Sequence, residues 1–149
     1  MEAAFRVIAA EIMSWYEETW RAWYQGQAPR RAKLCVEIND TGSATYNKRE
    51  DAIFLPVRSG DVEDYASIVM PDGHLDGPKW RIWKQELVHE MLHEYQHKVL
   101  LTASTEGIRL HQTDARGFPG KGHDDLFYTA IVDKARYFSM APEEFRDKL

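Results

Sequence analysis

The stretch WRIWKQELVHEMLHEYQHKV, residues 80–99, decides how this chain folds. Its apolar residues recur at intervals of three and four, which predicts one amphipathic helix. Glu86, Glu90 and three histidines spaced by four residues gather on the face that the apolar stripe leaves free. This helix is therefore expected to carry both a packing surface and the candidate chemistry. The apolar stripe consists of Trp80, Trp83, Leu87, Val88, Met91, Leu92, Tyr95 and Val99.

Within this helix, His89, Glu90 and His93 form an HExxH motif. Residues four apart lie nearly one above the other on a helix, so both imidazoles can bind one metal ion. Glu90 lies one step round the helix from the first ligand, where a carboxylate can accept a proton from the attacking water. Zinc lowers the pKa of a bound water to about 7. The motif therefore predicts a Zn²⁺ site with Glu90 as general base.

A catalytic zinc site takes three protein ligands, and the motif supplies two. His97 lies about 12 Å along the axis from His89, and no Gly or Pro interrupts the helix there, so one ion cannot bridge the two. His123 is the preferred third ligand. The glycines at 120 and 122 free the backbone before it, and a second helix is predicted from about residue 124. The sequence leaves three alternatives open, which are Glu106, His111 and Asp114.

When the segment around His123 is considered together with the HExxH motif, the chain resembles the SprT-like zinc metallopeptidases. The HExxH motif is followed about thirty residues later by a Gly-His pair at 122–123 and then by an aromatic residue. The resemblance implies a zincin-like α+β domain with an N-terminal helix, a small mostly antiparallel sheet, the HExxH helix and a following helix. It also implies that His89, His93 and His123 bind zinc, that Glu90 is the general base, and that Phe127 is the aromatic residue after the third ligand.

The chain departs from that family pattern in two places. Asp124 stands where a Gly usually follows the third histidine, so the local turn is expected to differ. The chain has a single cysteine, Cys35, so the cysteines of a zinc-ribbon tail are missing. Cys35 itself is predicted to be a buried structural thiol. A role in repairing DNA–protein crosslinks is therefore not carried over.

The other predicted elements follow from periodicity and turn residues. Asn39–Ser43 carries the turn chemistry of a hairpin between the first two strands. Pro56 confines the third strand to a sheet edge or a strand end, and residues 58–79 are predicted to be a long polar loop. The predicted elements are a helix over residues 3–24, strands over 34–38, 44–47 and 52–56, the HExxH helix, the helix from about 124, and a short last helix near 142.

Composition bounds the class of protein. With 149 residues, 44% of them hydrophobic, the chain predicts a single domain over residues 1–149 with an aromatic-rich core. The formal net charge of −5 argues against a dominant nucleic-acid surface. No apolar stretch reaches the length of a membrane span and no signal peptide is visible, so a cytoplasmic protein without a membrane partner is predicted.

The sequence thus predicts a zinc-dependent metallopeptidase that hydrolyses peptide bonds in a protein or peptide substrate. One alternative is a zinc-dependent amidase acting on a cell-wall or small amide substrate. Another is a non-catalytic module stabilised by zinc, although structural zinc sites usually have four protein ligands. Oligomeric state has no signal in the sequence. The candidate donors to the developing oxyanion are Tyr95, Arg109, His111 and Tyr128.

Overall fold

The fold is given by a computed structural model that describes residues 2–24, 30–95, 97 and 98. These residues form a small α+β fold with three helices and a three-stranded mixed sheet. The helices predicted from about residue 124 and near 142 lie outside the described residues. The elements are α1 (Glu2–Tyr24), β1 (Lys33–Ile38), β2 (Thr45–Asn47), β3 (Ala52–Val57), α2 (Ser59–Glu63), a 3₁₀ turn (Tyr65–Ser67) and α3 (Pro78–Tyr95).

Helix α1 confirms the helix predicted over residues 3–24. Its inward face is set by the helical period, since Ile8, Ile12 and Tyr16 recur every four residues and are all buried. The buried hydroxyl of Tyr16 donates a hydrogen bond of 2.9 Å to the carbonyl oxygen of Ala32, just before β1. The helix is thereby fixed to the start of the sheet by a specific bond as well as by apolar packing.

The sheet has the strand order β1–β3–β2. Strands β1 and β3 run parallel, in register from Lys33–Ala52 to Ile38–Val57. The short strand β2 is antiparallel to β3, with Tyr46 opposite Ile53. The longer of the two pairings is therefore parallel. The prediction of a mostly antiparallel sheet was wrong, as was the predicted hairpin between β1 and β2.

The turn residues after β1 explain why no hairpin forms there. The side-chain oxygen of Asn39 accepts hydrogen bonds from the backbone N–H groups of Thr41 and Gly42, at 3.0 and 2.6 Å. The guanidinium of Arg58 then donates to the carbonyl oxygens of Asn39 and Gly42, at 2.7 and 2.8 Å. Arg58 follows β3, so these bonds hold the turn after β1 close to the end of β3. This arrangement is consistent with the pairing of β1 with β3 instead of with β2.

Strand β3 occupies the centre of the sheet because it is the most apolar of the three. Ile53, Leu55 and Val57 are fully buried. Pro56 lies one residue from the end of β3, as predicted for a strand end, but the strand itself is not at an edge. β2 extends only alongside Ala52–Phe54. No other strand in the described part of the chain pairs with that side of β3 at Pro56, so the missing N–H can be accommodated.

The segment predicted as an open loop over residues 58–79 contains ordered elements. Helix α2 is anchored by Asp40, whose carboxylate accepts hydrogen bonds from the backbone N–H and the hydroxyl of Ser59, at 2.8 Å each. These bonds hold the pKa of Asp40 below its ordinary value. Further along, Val69 and Leu75 form an isolated antiparallel bridge. The segment therefore contains regular elements and is attached at Val62, Ile68 and Leu75, which are buried.

The HExxH helix predicted over residues 80–99 is confirmed as far as Tyr95, in helix α3 (Pro78–Tyr95). It begins at a proline, which suits the first helical position because its missing N–H would have no partner inside the helix. Gly77, just before it, has a φ of 96°, a conformation that favours glycine. None of the described helices combines the length and apolarity needed to cross a bilayer.

Contacts divide the chain into two compact units, Met1–Glu90 and Met91–Leu149. The boundary falls inside α3, between two residues of one continuous helix. The single domain predicted over residues 1–149 stays a prediction.

Candidate metal site

The middle of α3 brings together three side chains that can bind a metal ion. One ligand atom from each of His89, Glu90 and His93 lies within 4.8 Å of the other two. Zinc bonds of about 2.0–2.1 Å in a tetrahedron separate neighbouring ligand atoms by roughly 3.4 Å. The two imidazoles therefore lie close enough for one ion between them, with the carboxylate of Glu90 beside it. Two imidazoles and a carboxylate are also a donor set that suits zinc.

The site is buried. Six consecutive residues, Leu87–Leu92, are all buried, so this part of α3 is covered on every side. His89 is 9% exposed and Glu90 only 6%, while His93 is half-buried. The polar face of the predicted amphipathic helix is consequently not a solvated surface. This burial distinguishes the group from an incidental pair of surface histidines.

Glu90 has a strongly raised pKa. Burial raises its pKa from 4.5 to about 8, and the negative charge of Glu86 contributes in the same direction. Glu86 lies one helical turn earlier, on the same face of α3. A hydrogen bond from the backbone N–H of Tyr46, in β2, acts in the opposite direction and lowers the pKa. In the absence of a metal ion, the carboxyl of Glu90 therefore holds a proton near neutral pH.

His97 does not join this group. It lies in a π-helical turn just after α3, and no group of potential ligands among the described residues includes it. Beside it, the ammonium of Lys98 forms an ion pair of 2.7 Å with the carboxylate of Glu94, whose side chain is fully buried. This arrangement is consistent with the long distance along the helix axis between His89 and His97, which argued against His97 as a ligand.

Several predicted site residues lie outside the described part of the chain. Tyr95 is the last residue of α3. Tyr95 lies two residues after His93, so it is about 200° round the helix axis from that histidine. This position favours the other three oxyanion candidates, which are Arg109, His111 and Tyr128. The residues that lie outside the description are the preferred third ligand His123, its alternatives Glu106, His111 and Asp114, the aromatic Phe127, and the oxyanion candidates Arg109 and Tyr128.

Two features of the site escaped the sequence analysis. The spacing of Glu94 and Lys98 is the favourable i, i+4 order and was a usable signal for their ion pair. The contact between Tyr46 and Glu90 had no usable signal, because it uses a backbone N–H that every residue except proline has. It depends on which strand lies beside α3, and that is decided by the sheet.

Comparison with known protein-family models finds no match to this chain. Searches of curated proteins and of solved structures also find no significant match. The resemblance to SprT-like peptidases therefore stays a prediction from the motif residues. Conclusions about function have to rest on the chemistry of the site itself.

Proposed function

We propose that this protein is a zinc-dependent metallopeptidase that hydrolyses peptide bonds in a protein or peptide substrate. The observation that supports the proposal best is the buried group of His89, Glu90 and His93 on one helix. A zinc ion bound there supplies Lewis-acid activation of water and of the scissile carbonyl. His123 is proposed as the third ligand, which leaves one coordination position open for chemistry.

In this proposal each side chain of the described group has a separate task. His89 and His93 bind the ion from successive turns of α3, so the rigid helix fixes their spacing. Glu90 accepts the proton of the attacking water and passes it to the leaving amine. Without metal its pKa is about 8, and the positive charge of a bound zinc ion would lower that value toward the neutral range in which a general base works best.

The substrate is proposed to lie along strand β2. Among the described residues β2 is an edge strand, and its backbone contacts Glu90. An extended peptide beside such an edge forms backbone hydrogen bonds that depend little on sequence, and here it would bind through groups other than the Tyr46 N–H, which is bonded to Glu90. A chain lying along this edge passes close to the proposed general base.

The test measures metal content and hydrolysis in the same set of variants. Purified wild type, His89→Ala, His93→Ala and Glu90→Gln are loaded with zinc, dialysed and assayed against a fluorogenic peptide library. His74→Ala is the matched control, because His74 is an exposed histidine outside the site. We expect one zinc per chain in the wild type, the control and Glu90→Gln, and loss of zinc in the other two histidine variants.

Hydrolysis separates a base from a ligand. Because general acid–base catalysis typically contributes about 10²–10⁴-fold, Glu90→Gln should lose at least about 100-fold in turnover while it keeps its zinc. Loss of zinc from Glu90→Gln would make Glu90 a ligand and overturn the assigned mechanism. Retention of zinc by both His89→Ala and His93→Ala would overturn the metal site itself.

A further inference from the structure

Strand β1 is one of the two edges of the sheet that the described residues form, and it is the longer one. The backbone N–H of Lys33 donates to the carbonyl oxygen of Asp51 at 3.0 Å. Just after β1, the N–H of Asn39 donates to the carbonyl oxygen of Val57 at 2.9 Å. Since backbone groups of successive strand residues point alternately to the two sides, the even-numbered residues of β1 direct their N–H and C=O groups away from β3. These residues are Leu34, Val36 and Ile38.

This outer edge of β1 is accessible. No strand in the described part of the chain pairs with it. The side chains of Lys33 and Glu37 are exposed, and Ile38 is 39% exposed although it is large and apolar. The register of β1 against β3 is uninterrupted, and the strand contains no proline or bulge that would keep another strand away. An uncovered edge of this kind is a template for pairing with a further strand.

The charges on β1 indicate which strand suits this edge. Lys33 and Glu37 lie two residues before and two residues after Cys35, on the same face of the sheet. When a second copy of β1 lies antiparallel about a twofold axis at Cys35, each Lys33 faces Glu37 of the other copy. Opposite charges at facing positions stabilise a pair of strands. Neither side chain forms an ion pair with another described residue, so both can make this contact.

We propose that two copies of this protein associate through antiparallel pairing of their β1 strands, which continues the sheet across a twofold axis. In this register Leu34 lies opposite Val36 of the second copy, and the two residues exchange both backbone hydrogen bonds. Their N–H and C=O groups are the ones that point outward, so the register set by the charges also satisfies the backbone. A shift by one residue would place these groups opposite groups already bonded to β3.

The single cysteine provides the first test, because the proposed axis passes between Cys35 and its copy. This thiol was predicted to be buried but is half-buried. Facing residues without mutual hydrogen bonds have Cα atoms about 4.5 Å apart, within the range of about 4.4–6.8 Å that a disulfide spans. Oxidation of the whole chain by diamide should therefore yield a disulfide-linked dimer. The matched control combines Cys35→Ser with Ser14→Cys, which moves the thiol to an exposed position of α1 and should yield monomer on a non-reducing gel.

The charges and the edge are tested by sedimentation equilibrium without oxidant, in which the wild type should dimerise with increasing concentration. Lys33→Glu and Glu37→Lys each place like charges opposite one another, so either should raise the dimer Kd at least about tenfold. The double variant Lys33→Glu/Glu37→Lys restores opposite charges and should return Kd to within about threefold of the wild type. Val36→Pro removes an outward-facing N–H, which an edge strand tolerates, and should raise Kd at least about tenfold above that of the control Val36→Ala.

Each result supports or overturns a part of this proposal. A wild type that stays monomeric at the highest concentration measured would overturn the association. Equal disulfide yield from Cys35 and from the control position would overturn the twofold register, as would a double variant that dimerises no better than the single ones. These outcomes stand even if Val36→Pro does not fold. They involve neither zinc content nor hydrolysis, so failure of the proposed peptidase function leaves them unaffected.

Discussion

Replacing Glu90 by glutamine should change how the stability of the metal-free protein depends on pH. Burial raises the pKa of this carboxyl from 4.5 to about 8 in the folded chain. Below about pH 4.5 the group is protonated in both the folded and the unfolded states. Between 4.5 and 8 the folded state keeps its proton and the unfolded state releases it. The contribution of Glu90 to the free energy of unfolding is therefore largest below about pH 4.5. It decreases as the pH rises and is lost once the pH passes through 8.

The size of the effect follows from the same values. Because one pKa unit corresponds to about 1.36 kcal/mol, the change from 4.5 to about 8 is worth on the order of 5 kcal/mol. Glutamine is close in shape and carries no proton that ionises in this range. The difference in unfolding free energy between Glu90→Gln and wild type should thus increase from pH 4.5 to 8 in favour of the variant.

The assay is urea denaturation of both proteins in the presence of a chelator, at intervals between pH 4.5 and 8.5. Taking the difference between the two proteins removes the contributions of all other titrating groups. Glu63→Gln is the control, because it removes an exposed glutamate of α2 and should follow the wild type. A difference between Glu90→Gln and wild type that stays constant across this range would refute the reasoning.

Two further predictions concern packing and the third ligand. Tyr16→Phe removes a buried hydrogen bond of 2.9 Å to Ala32 and should lower the free energy of unfolding by about 1 kcal/mol, as measured by urea denaturation. Tyr65→Phe is the control, and an equal loss there would contradict a specific role for the Tyr16 bond. His123→Ala should weaken zinc binding far more than Glu106→Ala or His111→Ala in competition with a chelator, and a larger effect at either of the other two positions would remove the main support for the SprT-like resemblance.

The tertiary structure decided how the strands pair and what surrounds the site. The sequence pattern located all three strands to within a residue or two, yet it assigned a hairpin where β1 instead runs parallel to β3. Strand pairing joins residues that are distant along the chain, so a local turn signal such as Asn39–Ser43 does not determine it. The same holds for Glu90, whose pKa depends on burial and on a backbone N–H from β2.

The sequence by itself determined the helices and the spacing of the motif. Both α1 and α3 follow from the 3.6-residue period of their apolar side chains, a property of neighbouring residues. That period also places His89 and His93 on one face, so a candidate metal-binding pair could be predicted before any contact was known. What a local period cannot determine is which strand lies beside the helix or how deeply its polar residues are buried, because both depend on long-range packing. For this protein, the candidate metal-binding residues were therefore readable from the sequence, and the environment of Glu90 was not.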